Sequence, residues 1–139
     1  MSVILKNVTV RYGYFEAVKD VSADLPAGAT GLLGVNGAGK SSLIRALLGL
    51  VPMAQGDARI LGRDVRTQGK TIRQMIGYMP EDDCLMPGFT AVGLVQYLAE
   101  LTGLTRSDAM QRAHEVLYWA GLEEARYRRV ETFSSGMKQ

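Results

Sequence analysis

The sequence predicts an α/β fold: a partial parallel sheet, an N-terminal antiparallel β part and an α-helical subdomain. Three observations predict it. Residues 4–25 alternate apolar and polar side chains in two runs separated by Gly13 and Tyr14, the pattern of half-buried strands. Residues 29–50 read as an apolar strand, a glycine-rich loop and a helix. From Thr90 onward apolar residues recur at helical spacing.

The 139 residues suffice for a domain with a real core. Hydrophobic residues make up 47% and charged residues 22%, ordinary values for a globular protein. The net charge of +2 is too small to argue for an anionic membrane surface or for nucleic acid, and no nucleic acid partner is expected. Cys84 is the only cysteine, which rules out an internal disulfide and suits a reducing cytosol. Met1 to Lys6 lacks the regions of a secretory signal. No apolar run is long enough to span a bilayer, so a membrane role would go through a partner.

The elements follow in order. Ile4, Val8, Val10 and Tyr12 share one strand face, interrupted by Lys6. Ala17, Val21, Ala23 and Leu25 share the next, interrupted by Lys19. Pro26-Ala27-Gly28 is a turn that delivers the chain into Ala29–Leu33, expected as a buried parallel strand. A helix follows with Leu43, Leu47 and Leu50 at helical spacing, and Pro52 is expected to end it. Gly56 to Asp64 is a weaker strand bounded by glycine, Lys70 to Gln74 a short helix, and Met75 to Met79 a buried strand stopped by Pro80. Acidic and loop-forming residues from Glu81 to Gly88 mark a subdomain boundary. Thr90 is the expected N-cap of a helix whose inward stripe is Leu94, Tyr97, Leu98 and Leu101, stopped at Gly103. Thr105 to Asp108 resembles a capping box. It opens a helix with Ala109, Ala113, Val116, Leu117 and Ala120 inward and Gly121 past its end.

Between the third strand and the first helix stands Gly34-Val35-Asn36-Gly37-Ala38-Gly39-Lys40-Ser41-Ser42. It fits the phosphate-binding pattern G-x-x-x-x-G-K-[ST] in the strand–loop–helix context that gives the pattern meaning. It therefore predicts a P-loop NTPase core. Gly34, Gly37 and Gly39 can take backbone angles closed to other residues, so the N–H groups of the loop, Asn36 and Ala38 included, can line an anion nest. The helix start adds unpaired N–H groups and the positive end of its dipole. Lys40 would reach the terminal phosphates of a nucleoside triphosphate, and the Ser41 hydroxyl would ligate its Mg²⁺. A triphosphatase also needs an apolar strand ending in Asp to hold the Mg²⁺ shell, and none follows the loop in this sequence. A sheet with so few parallel strands would leave an edge and a face uncovered. The simplest expectation is the N-terminal part of a longer domain.

Phe133-Ser134-Ser135-Gly136-Met137-Lys138-Gln139 resembles the signature motif, usually LSGGQ, of ATP-binding-cassette (ABC) ATPases. Phe133 replaces Leu, Ser135 the first Gly and Met137 Gln, while Ser134 and Gly136 are kept. Other features of the family line up in order: Tyr12 where an aromatic stacks on adenine, Val18 to Leu25 leading to the loop, Gly56 in the turn after the first helix, and Met79-Pro80-Glu81 as a Q-loop with Glu for Gln. The resemblance covers essentially the whole chain. It implies an ABC ATPase domain over residues 1–139, incomplete at its C-terminus. Residues 1–87 would be the nucleotide-binding core with its β part, and 88–139 the helical subdomain with the signature. The acidic strand, D-loop and switch histidine of the family would follow Gln139, so this chain alone is expected to hydrolyse ATP weakly or not at all.

The resemblance further implies the ATP-binding subunit of an ABC transporter, with ATP and Mg²⁺ as cofactors. Lys40 and Glu81 would serve catalysis, Ser41 and Glu81 the metal. Tyr12, Gly34, Asn36 to Ser42, Ser134, Ser135 and Gly136 would bind nucleotide. Two subunits would face each other head to tail, with Ser134 to Gly136 of one on the ATP of the other. The partner in the membrane would be a permease, placing the chain on the cytoplasmic face, with Glu81 to Gly88 as the touching loop. The Pro-Glu ending resembles cassettes of the export type. Several residues keep a second reading: Tyr12 as a packed strand-end aromatic, Glu81 as a solvated acid, Ser134 as a plain N-cap. Ser135 adds a side chain where a phosphate would approach. His114 and the run Arg126, Arg128 and Arg129 read as structure and solvated surface. Rival functions are another phosphate-loop protein such as a small-molecule kinase, a soluble non-transport ABC ATPase, and a non-catalytic nucleotide-binding fragment.

Overall fold

The computed structural model describes residues 2–81 and 84–138. The chain divides into two compact units, Met1–Tyr78 and Met79–Gln139, where the sequence placed the division at 87/88.

The first unit is built on β1 (Val3–Tyr12), β2 (Phe15–Leu25), β3 (Gln55–Ile60) and β4 (Arg63–Asp64). They form a sheet in the order β2-β1-β3-β4, antiparallel throughout. β1 and β2 make the expected hairpin around Gly13 and Tyr14, but the inward face of β1 differs from simple alternation. Val3 and Leu5 are buried before Asn7, Val8 and Val10 after it, and Ile4 is only half-buried. The reason is a bulge. Asn7 sits at φ 49° and the register with β2 shifts between Leu5 and Val8, which inverts the alternation. Asp20 on β2 also sits at φ 49°. The two irregularities are tied: the Asn7 side-chain amide donates to the Asp20 carboxylate at 2.8 Å, and Asp20 N–H donates to the Thr9 hydroxyl at 3.0 Å. On β2, Val18 is therefore buried before the bulge, and Val21, Ala23 and Leu25 pack on the core after it.

The helix α1 (Lys40–Leu47) buries Leu43 and Ala46 against this sheet. It ends before Pro52, at Gly49. Gly49 takes φ 68°, and the N–H groups of Gly49 and Leu50 close on the carbonyls of Ala46 and Arg45, a Schellman stop. Leu50 thus falls outside the helix and is exposed. The single strand expected over Gly56 to Asp64 is a hairpin of β3 and β4, because Leu61 and Gly62 turn the chain with φ 52° and 75°. The helix α2 (Val65–Met75) begins earlier than expected because Asp64 caps it, accepting from the N–H groups of Arg66 and Thr67.

Two expected buried strands do not form. Ala29–Leu33 and Met75–Met79 lie outside the sheet, and Leu33 is 92% and Val35 79% exposed. An apolar run becomes a buried parallel strand only between neighbours that take its N–H and C=O groups, and β2-β1-β3-β4 offers it none. The α/β class stands.

The second unit is helical. The helix α3 (Ala91–Leu101) is capped by Thr90, whose hydroxyl accepts from Gly93 N–H at 3.2 Å. The helix α4 (Arg106–Trp119) is capped by Thr105, with Asp108 N–H on its hydroxyl. Gly103 and Gly121 stop them as expected, at φ 101° and 70°. The core joins Ala91, Val92 and Leu94 to Ala113, Leu117, Val130 and Phe133. Ala109, Ala113 and Leu117 are buried as expected, whereas Val116 and Ala120 are exposed. The predicted α3 stripe is wrong beyond Leu94: Tyr97, Leu98 and Leu101 are exposed, the last at 66%. Apolar residues circle most of α3, so spacing alone admitted two stripes, and packing chose the one through Ala91 and Leu94. Two 3₁₀ turns, Glu123–Tyr127 and Val130–Thr132, lead to the short helix α5 (Ser135–Lys138).

Candidate functional site

The phosphate loop lies in the first unit. Residues 34–38 are exposed, and Gly39 and Lys40 half-buried. Gly37 and Gly39 take φ 82° and 88°, and Ala38 N–H closes on the Val35 carbonyl at 3.2 Å. The Lys40 side chain arches back over the loop and donates to the carbonyls of Gly34 at 2.7 Å and Val35 at 2.8 Å. The ammonium is thus held at the centre of the loop, where a phosphate would exchange for carbonyl oxygens. Gly39 is also the N-cap of α1. N–H groups of the first helical turn, among them those of Ser41 and Ser42, have no partner within the helix and can meet an anion. Ser41 is exposed on that turn and Ser42 half-buried.

What fixes the loop was not legible beforehand. A Cβ on Gly39 would stand 2.0 Å from the Ala17 carbonyl oxygen of β2. Nothing in the sequence marks Ala17 for this backbone approach. The same hairpin carries Tyr12, opposite Phe15 at the end of β1 and 44% exposed. Its ring is therefore not sealed in the core. Two surface cavities of this unit, about 390 and 460 Å³, are lined by residues such as Leu50, Pro52 and Arg66, and Lys6, Asp57 and Arg59. Neither is lined by a residue of Gly34 to Ser42. Asp64, which also lines the second cavity, has its carboxyl pKa lowered, first by the Thr67 backbone N–H and also by that of Arg66. That is a cap at work, not an acid poised for catalysis.

Glu81 and Ser134, Ser135 and Gly136 belong to the second unit, and all four are exposed. The acidic loop from Glu81 to Gly88 includes Asp82 and Asp83, which lie outside the described residues, as does Gln139 of the signature motif. The Ser134 carbonyl accepts the N–H groups of Met137 at 3.0 Å and Lys138 at 3.2 Å, so Ser134 does stand at the start of a helical turn. Phe133, 7% exposed, anchors that turn in the core. His114 is half-buried with Nδ1 3.3 Å from Arg126 Nη1, beside the Tyr127 ring, a structural setting. Among the described residues no group of three His, Cys, Asp or Glu could hold a metal. Among the described residues no helix is long and apolar enough to cross a membrane.

Residues 18–139 match the family model described as ABC transporter. The linearmycin resistance ATP-binding protein LnrL of Bacillus subtilis is 38% identical over 135 residues, 96% of this chain and 43% of that protein. The Nod factor export ATP-binding protein I of Azorhizobium caulinodans is 38% identical over 109 residues, 78% of this chain and 34% of its own length. This chain thus spans less than half the length of these two relatives. A solved ATP-binding subunit of an ABC transporter superposes over 99% of this chain and 58% of its own, with a TM-score of 0.78 and 27% identity. The chain belongs to the ABC transporter family, among its ATP-binding proteins.

Proposed function

We propose that this chain binds MgATP through Gly34 to Ser42 and that the whole protein hydrolyses it to drive export through a transmembrane permease. The observation that carries the reading is the Lys40 ammonium bound across the loop between two carbonyls, beside an open helix start. Loop N–H groups and Lys40 hold the β- and γ-phosphates. Ser41 and, through its carboxylate, Glu81 would be the residues that hold Mg²⁺, which would supply charge neutralisation at the phosphates. Tyr12 stacks on adenine from the end of the hairpin. Ser134, Ser135 and Gly136 meet the ATP of a second subunit in a head-to-tail pair. The domain divides functionally into a nucleotide-binding core over residues 1–87 and a helical part over 88–139, with Glu81 to Gly88 as the stretch that touches the permease at the cytoplasmic face. Export is supported by the Pro80-Glu81 ending and by the likeness to the Nod factor export ATP-binding protein I.

Calorimetric titration of this chain with ATP and Mg²⁺ tests the reading. Binding is expected for the chain, with a loss of about 10-fold or more in Lys40→Ala, the order expected when charge-assisted hydrogen bonds are removed. Equal affinity in the two proteins would overturn the loop assignment.

A further inference from the structure

Within the second unit, the turn that follows the acidic loop is joined to the segment that leads into Ser134. Val130 N–H donates to the Phe89 carbonyl at 3.0 Å and Ala91 N–H to the Arg128 carbonyl at 3.2 Å. Thr90 and Arg129 form the antiparallel bridge between them. One side chain closes this strap. The Glu131 carboxylate accepts the Gly88 N–H at 2.6 Å, across 43 residues of sequence. On the far side, the Arg128 guanidinium donates to the Thr132 carbonyl at 2.9 Å and lies 5.9 Å from the Phe133 ring centre. From Gly88 to Phe133 the ties are continuous, and Ser134 is the next residue.

We propose that Glu131 is a positioning residue for Ser134 to Gly136, clasping the Gly88 turn so that it and the signature segment move as one. The nucleotide-facing role of that segment rests on the function proposed above, but the clasp does not. Phe133 fixes the segment's depth in the core, while the Glu131 clasp fixes its bearing on the turn after Glu81. A carboxylate suits the task because it accepts more strongly than a neutral group. Its pKa is lowered, first by its own backbone N–H and then by that of Gly88. The sign follows: the clasp is complete above the ordinary carboxylate range and opens as pH falls through the lowered pKa. Glu131 is exposed, so water competes and the effect is modest.

The test is amide hydrogen exchange by NMR on this chain without nucleotide, beside Glu131→Ala and Glu131→Gln. Glu131→Ala should speed exchange about 3- to 10-fold at Gly88, the range for one net hydrogen bond. Residues 134–138 should speed about twofold or more, with Ala113 and Leu117 unchanged. Glu131→Gln keeps an acceptor without the charge and should fall between. The parent should lose Gly88 protection on acidification, corrected for intrinsic rates, and Glu131→Gln should not. If Glu131→Ala loosens the whole unit, Glu131→Gln decides by the same comparison. Faster exchange at Gly88 with residues 134–138 unaltered would overturn the positioning role, and no change at Gly88 would overturn the clasp. Neither result bears on ATP binding by Lys40, which the calorimetry reads separately.

Discussion

Gly39 of the phosphate loop meets β2 backbone to backbone. Ser134 to Gly136 are held at one remove, through the side chains of Phe133 and Glu131. Both stretches are proposed to face phosphate oxygens, yet one rests on clearance and the other on side-chain ties. The difference teaches how each tolerates change. A backbone clearance admits one residue type and fails abruptly. A set of side-chain ties loses strength by degrees, and that leaves room for the departures Ser135 and Met137 from the family's usual motif.

The comparison breaks most readily at Gly39. Gly39→Ala puts a methyl group against the Ala17 carbonyl at a φ of 88°. A loss of roughly 2–4 kcal/mol in unfolding free energy is expected, from strain and displacement together. Triphosphate binding should go with it. Chemical denaturation followed by tryptophan-independent circular dichroism would read the loss, and a change under about 0.5 kcal/mol would show that the clearance is not what fixes the loop. A graded effect is expected in the second unit. Thr90→Ala removes the α3 cap and should cost about 1 kcal/mol. Exchange protection of α3 and α4 should fall while that of β1 stays. If β1 protection fell equally, the two units would share one cooperative transition, and the contrast would lose its meaning. The smallest effect sharpens the electrostatic side. Asp64 has a lowered pKa because N–H groups of Thr67 and Arg66 bind its carboxylate, so its stabilisation is present above the ordinary Asp range and is lost as pH falls through the lowered value. Asp64→Asn should therefore unfold more easily than the parent near neutrality, and the two midpoints should converge in acid. A gap that persisted unchanged in acid would remove the charge from the explanation.

Where the sequence was read correctly, the signal was short-range. The left-handed glycines Gly37 and Gly39, the N-caps Thr90 and Thr105, and the stops Gly103 and Gly121 each depend on a few neighbouring residues. Where the reading failed, a distant partner decided. Asn7 reverses the alternation of β1 because Asp20 on β2 holds the bulge, accepting from the Asn7 amide and donating its N–H to the Thr9 hydroxyl of β1. Ala29–Leu33 is as apolar as a buried strand, but no strand of β2-β1-β3-β4 lies beside it to accept its hydrogen bonds. On α3, Tyr97, Leu98 and Leu101 satisfy helical spacing as well as the buried residues do, and only packing with α4 separated them.

By itself, then, the sequence determined the α/β class, the left-handed glycines Gly37 and Gly39 of the loop, and the caps and stops of α3 and α4, because glycine conformations and hydroxyl caps act within a turn or two of chain. Tertiary structure alone decided which strand faces are buried, which α3 stripe is covered, that Ala17 shapes the loop, and that Glu131 reaches Gly88. Each of these depends on which backbone groups and side chains from distant positions come within hydrogen-bonding or van der Waals reach, and local propensity carries no information about that.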